Sequence, residues 1–195
     1  MRTRTCLILA LAASAALALP AAAQQRPAAQ PLPPGLMGDL LGDAGQVHRK
    51  LVALARAIPA DKHGWRPAEG VRSVHEVLLH VASDNYLLPA MLGVPLDPAV
   101  GIDMNDLSTL STYERRPIAR DSVIAELERS FEYLAKAMRE TPATSLSDTV
   151  KFFNTDMSRQ RVWILTTTHL HEHLGQLIAY ARANGVVPPW SAQGG

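Results

Sequence analysis

Thr168-His169-Leu170-His171-Glu172-His173-Leu174-Gly175-Gln176 gathers three histidines and a glutamate into five positions of an otherwise apolar, periodic segment. His169 and His173 are four residues apart, which on a helix sets both imidazoles on one face, one turn apart. Neutral imidazoles so placed can share one transition metal ion. Along the wider segment Val162, Leu165, His169, His173, Gln176 and Tyr180 fall on one stripe, so the pair points where core residues point. His171 lies on the other side and Glu172 flanks the stripe. Asp156 is placed to cap this helix and Asn184-Gly185 to end it.

Working back from that stretch, residues 142–155 read as a short connection. Residues 120–140 carry a helical pattern in Val123, Ile124, Leu127, Phe131, Leu134 and Met138, stopped at Thr141-Pro142. Residues 89–118 show no sustained period and read as a link of about thirty residues, long for a compact domain and able to cross a bundle or cover a site. Before it, Ser73-Val74-His75-Glu76 is a capping-box signature for a helix reaching Leu88. His80 lies at or beside the apolar stripe of that helix, and His75 in its first turn is expected to be exposed. Residues 36–58 form the remaining helix, which Pro59 stops. His48 in it reads as an ordinary helical histidine. Four amphipathic helices and no strand-rich segment predict an all-α fold, a four-helix bundle.

The N-terminus has a different grammar. Arg2 and Arg4 precede an apolar run from Cys6 to Leu19, too short to span a bilayer comfortably, and Ala21-Ala22-Ala23 is a small-residue cleavage site. Residues 1–23 are therefore expected to be a secretory signal peptide, residues 24–35 a disordered linker, residues 36–186 the bundle and residues 187–195 a tail. The exported protein is expected in the periplasm or outside the cell, with no stable membrane insertion. Cleavage removes two of the 19 basic residues, none of the 18 acidic ones and the only cysteine. The near-neutral remainder gives no footprint for nucleic acid. It also leaves no thiolate, so a metal site has to be built from His, Asp and Glu.

Two other readings of the histidine stretch compete. His169-Leu170-His171-Glu172-His173 matches H-x-x-E-H, the inverted zinc-protease pattern, but no Asp or Glu follows Glu172 to complete it. Alternatively the inward imidazoles are core residues, with hydrogen bonds from Gln176, Thr166 and Tyr180. Against both stands the metal reading, with His80 as third ligand if the two helix stripes face each other.

With these residues in view, the chain resembles the DinB-like (damage-inducible) family of metal-binding four-helix bundles, which includes thiol-dependent transferases related to maleylpyruvate isomerase. The resemblance covers residues 36–186. It rests on Trp65-Arg66-Pro67, on Ser73 to His80 leading into Val81-Ala82, and on His169-x-x-x-His173-x-Gly175-Gln176. It implies an up-down-down-up bundle with a long crossover between the second and third long helices. It also implies a divalent metal, zinc or nickel, on His80, His169 and His173. Leu174 departs from the arginine usual before Gly-Gln, and export argues against chemistry that needs a cytosolic thiol.

Three imidazoles leave a metal position open, as catalytic sites do. The expected function is that of a metal-dependent hydrolase or transferase of a small-molecule substrate, with Glu172 or Asp84 as general base. A non-catalytic metal- or ligand-binding module is the alternative. Tyr86, Trp163, Phe152 and Phe153 are expected to pack in the core rather than line a pocket. A homodimer is expected from family likeness.

Overall fold

The computed structural model describes residues 32–191, so the expected leader, most of the linker and the last residues of the tail lie outside the described residues. Within them the chain forms α1 (Leu36–Ala57), α2 (Val74–Met91), a short α3 (Ser108–Glu114), α4 (Arg120–Glu140), a hairpin of β1 (Thr149–Phe152) and β2 (Thr155–Ser158), and α5 (Arg159–Ala183). None of these helices is long and apolar enough to cross a membrane.

The four long helices make an all-α bundle. Among the four long helices, α1 packs against α4 and α5, and so does α2, which sets the consecutive pair α1 and α2 diagonally across the core; α3 packs on α2. Direction follows from bonds between elements. Asn85 and Tyr86 reach Ser130 and Glu126, while Val94 beyond α2 meets Tyr133, so α2 and α4 run parallel. Arg56 meets Glu128 and His48 stacks on Phe131, so α1 runs against α4. Arg72 before α2 meets Tyr180, and Leu92 after it meets Arg159, so α5 runs against α2. The order is up-down-down-up.

Local signals account for the helix starts. Ser73 Oγ accepts from the Glu76 amide at 3.2 Å and the Glu76 carboxylate accepts from the Ser73 amide at 2.7 Å, the reciprocal pair of a capping box. Arg66 pairs with Glu76 at 3.0 Å and Trp65 lies edge-on to Tyr180, which explains why Trp65-Arg66-Pro67 accompanies this helix. Leu51, Leu54, Leu78, Leu127, Leu134, Met138, Trp163 and Leu177 are fully buried between the helices.

Four expectations need correction. Helix α2 continues through Pro89 to Met91, because a proline so near a helix end forfeits a single ladder bond; its carbonyl accepts from the amides of Leu92 and Val94. The link over 89–118 contains α3, which a seven-residue helix is too short to announce by periodicity. Residues 142–155 hold most of a hairpin whose turn, Phe153-Asn154, has φ of 45° and 65°, the left-handed pair that a two-residue turn requires. Asp156 is therefore a strand residue paired with Lys151 at 2.8 Å, and Ser158 caps α5.

Candidate metal centre

The carboxylate of Glu126 is almost fully buried between α2, α3 and α4. It accepts from the Tyr113 hydroxyl at 2.7 Å and the Tyr86 hydroxyl at 3.2 Å, and pairs with Arg129. Burial works to raise its pKa, but the Tyr113 hydrogen bond and Arg129 hold it below the usual carboxylate range. Burial, with the Glu126 bond and charge, raises Tyr113 in turn and pushes Tyr86 up to about 12. Arg116 covers the Tyr113 ring at 3.8 Å. This buried cluster fixes the register of α3, and the residue after Tyr113 is Glu114.

Glu114 turns the other way, towards α2. The Nδ1–H of His80 donates to its Oε1 at 2.8 Å, and Arg72 brackets the same carboxylate through Nε at 2.7 Å and Nη2 at 3.2 Å. Burial opposes ionisation of Glu114, but the bonds from His80 and Arg72 keep its pKa low. On α5, the Nδ1–H of His173 donates to Gln176 Oε1 at 2.9 Å. Gln176 Nε2 donates to the Tyr180 hydroxyl at 3.0 Å, which donates to the Arg72 carbonyl at 3.2 Å. Arg72 thus ends both chains of bonds, with its main chain behind His173 and its side chain behind His80.

His169 completes the group. Its Nε2 lies 2.6 Å from Asp84 Oδ2, and its Nδ1 is 3.7 Å from Glu172. Asp84 Oδ2 is also 3.5 Å from His80 Nε2. Burial works to lower the His169 pKa, but the Asp84 bond and charge raise it on balance; burial takes His173 down to about 4. One nitrogen each from His80, His169 and His173 lies within 4.8 Å of the others, the one such group among the described residues. The rings are mutually edge-on, with centroids 4.4–5.3 Å apart.

The donor set fits a divalent transition metal. His173 Nε2 is buried and has no hydrogen-bond partner. An unpartnered buried acceptor costs on the order of 1–3 kcal/mol, and a shared cation removes that cost. Behind His80 and His173, Nδ1 is engaged by an acceptor, which fixes the tautomer that leaves Nε2 free, as outer partners of metal-binding histidines do. Gln176 therefore satisfies only half of His173, and Thr166 bonds the Val162 carbonyl instead. That is the difficulty for the core-histidine reading.

The histidines sit beside the buried stripe of α5 rather than on it. Val162, Trp163, Thr166, Thr167, Leu170, Leu174, Leu177, Tyr180 and Ala181 are buried, so the ends of the expected stripe lie inside while the imidazoles are half-buried at its edge. His80 and His169 face a cavity of about 490 Å³, lined also by Asp84, Glu114 and Glu172, with His173 behind them. Phe152 and Phe153 line it too; Phe152 is half-buried and also packs against the core as expected, whereas Phe153 is exposed at the hairpin tip, contrary to the packing expected of it. Tyr86 and Trp163 are in the core. His75 is half-buried, bonded to the Arg116 carbonyl at 2.8 Å, and so is not the exposed residue expected. His171 is exposed and meets Asp43 at 2.8 Å, apart from the cluster. Leu174 packs in the core, where an arginine would have no place. Sequence reasoning missed Glu114 and Arg72, since both lie outside the long helices.

The DinB superfamily model matches residues 44–177. The fold is similar to that of a DinB-like protein from Bacillus cereus ATCC 10987, with a TM-score of 0.63, 14% identity, and 79% of this chain and 95% of that one covered. It is also similar to a DinB-like protein from Bacillus subtilis, with a TM-score of 0.57, 16% identity, and 76% and 94% covered. At those identities the likeness is one of fold. No functionally curated protein matches the chain. The family match runs from the middle of α1, through α2 and its His80, to the Gln176 turn of α5, and on that span the chain belongs to the DinB superfamily.

Proposed function

We propose that this protein binds a divalent transition metal, zinc or nickel, through His80, His169 and His173, and uses it in hydrolysis of, or group transfer to, a small-molecule substrate. The observation that carries the reading is the buried, unpartnered Nε2 of His173 within a cluster of three imidazoles that borders a cavity. An ion held by three imidazoles supplies a Lewis acid with a position left for substrate or water.

The chain's own groups divide the remaining work. Glu114 and Gln176 hold two rings in the required tautomer from behind. Asp84 borders the cavity with Oδ2 2.6 Å from His169 Nε2 and 3.5 Å from His80 Nε2, a carboxylate beside the nitrogens that would hold the ion, which favours it as the group that holds a proton during reaction. Glu172 is largely exposed and 3.7 Å from His169 Nδ1, which suits orienting that ring better than proton transfer. Leu107, Leu110 and the hairpin tip narrow the approach of water. Export to the periplasm and a homodimeric state belong to the same proposal, resting on the leader pattern and on family likeness.

The test is a panel of chromogenic esters, amides and phosphoesters. It is run with metal-loaded protein, chelator-treated protein and the Asp84→Asn variant. Turnover by the loaded wild type, lost on chelation and reduced about 100-fold or more in Asp84→Asn, is the expected result. Metal retained in all loaded samples with turnover in none favours the non-catalytic binding module.

A further inference from the structure

The cavity beside the three histidines has two halves of unlike chemistry. One is the polar floor already described. The other is an apolar wall made by Leu87 of α2, Leu107 and Leu110 at α3, Phe152 and Phe153 at the hairpin tip, and Leu165 of α5. Phe153 is 51% exposed and Leu107 40%, in a chain whose large apolar side chains are otherwise mostly inside. Apolar side chains left exposed around a concave polar site are characteristic of ligand binding rather than of packing.

Phe153 carries a second signal. Its φ of 45° lies in the left-handed region, where bulky side chains are disfavoured and glycine or asparagine is usual. The ring is half exposed and meets Phe152 edge-on at 4.8 Å, so its burial offsets little of the cost of that backbone conformation. Strain of this kind gathers where a side chain serves a ligand.

Charge narrows the ligand further. The cavity is lined by three carboxylates, Asp84, Glu114 and Glu172, and one arginine, Arg72, which is already bound at two points to Glu114. A divalent ion brings this set close to neutral. Among the described residues, no unpaired cationic side chain then remains in the lining to receive an anionic substrate body.

We infer that the site takes substrates with one polar, metal-directed head and an uncharged alkyl or aryl body, held between the Phe152–Phe153 tip and Leu107–Leu110. This rests on the metal reading above.

The test uses zinc-loaded full-length protein, as wild type and as Phe153→Gly. Each preparation is analysed for zinc and titrated calorimetrically with acetohydroxamate, hexanohydroxamate and the monohydroxamate of succinic acid, with hexanamide as the headless control. Wild-type affinity is expected to rise roughly threefold per added methylene, and the succinic probe to bind about tenfold more weakly than the hexanoyl one. Phe153→Gly should keep its zinc and its affinity for acetohydroxamate, yet lose most of the gain from the alkyl chain. Full zinc occupancy with equal affinity along the series, or with the anionic body bound as tightly, overturns the inference and leaves the metal centre standing. Absence of zinc, with hexanohydroxamate binding no better than hexanamide, refutes the metal centre and takes the inference with it.

Discussion

Glu114 and His80 lie 34 residues apart, on different helices, and meet at 2.8 Å between Oε1 and Nδ1. The contact fixes which imidazole nitrogen is free. A carboxylate behind a metal-binding histidine is commonly worth 10–100-fold in affinity. Glu114→Ala is therefore expected to weaken zinc or nickel binding by about that factor, measured by competition with a chromophoric chelator, with the helical circular-dichroism signal unchanged. Unaltered affinity would remove Glu114 from the account.

Tyr113 is expected to act at one remove. Its hydroxyl is one of the groups that keep the buried Glu126 carboxylate satisfied. Tyr113→Phe should cost about 1–3 kcal/mol in denaturant unfolding, since a bond to a buried charge is lost. It should also weaken metal binding slightly, because α3 delivers Glu114. Full stability in this variant would mean that α3 is held by other contacts.

These two residues also mark where the sequence stopped being legible. The four long helices are readable because each repeats its apolar positions over five or more turns, and the capping box at Ser73 is a pair of side chains with one possible geometry. His169 and His173 announce themselves because one helix carries both. Glu114 and Arg72 do not, since their partners are distant in sequence and α3 is too short to show a period. The hairpin was hidden for the same reason, its strands being four residues each, with Phe rather than Gly or Asn leading the turn. On α5 the ends of the expected stripe, Val162 and Tyr180, are buried, whereas Leu165, His169, His173 and Gln176 are half-buried, because spacing alone does not tell a core position from one that borders the core.

His48 predicts a pH effect that is separate from the metal. Burial against Phe131, with Arg49 adjacent, lowers its pKa to about 4. The folded state thus holds it neutral where the unfolded chain, with a pKa near 6.5, binds a proton. Stability should fall as pH drops through the window from about 6.5 to 4, by on the order of 2–3 kcal/mol from this group, and be fully present above it. Urea titrations at several pH values should show a shallower decline in His48→Leu. Parallel declines in the two proteins would contradict the assignment.

Gly175 lies in the interior of α5, exposed, and a Cβ there meets nothing within 4 Å. Nothing in the structure requires glycine. Gly175→Ala should stabilise the protein by about 0.5–1 kcal/mol through helix propensity, read as a higher urea midpoint at unchanged slope, with metal content unaltered. Loss of stability would reveal a contact at this face.

The central claim is that His80, His169 and His173 bind one metal ion together. Elemental analysis is the direct measurement. It should be made on protein purified without chelator or affinity tag, beside the variant His80→Ala/His169→Ala/His173→Ala. The account predicts about one equivalent of a single divalent transition metal in the wild type and none in the variant. No metal in either, with stability unmoved when zinc or nickel is added, would contradict it and leave the three imidazoles as packing residues at the edge of the core.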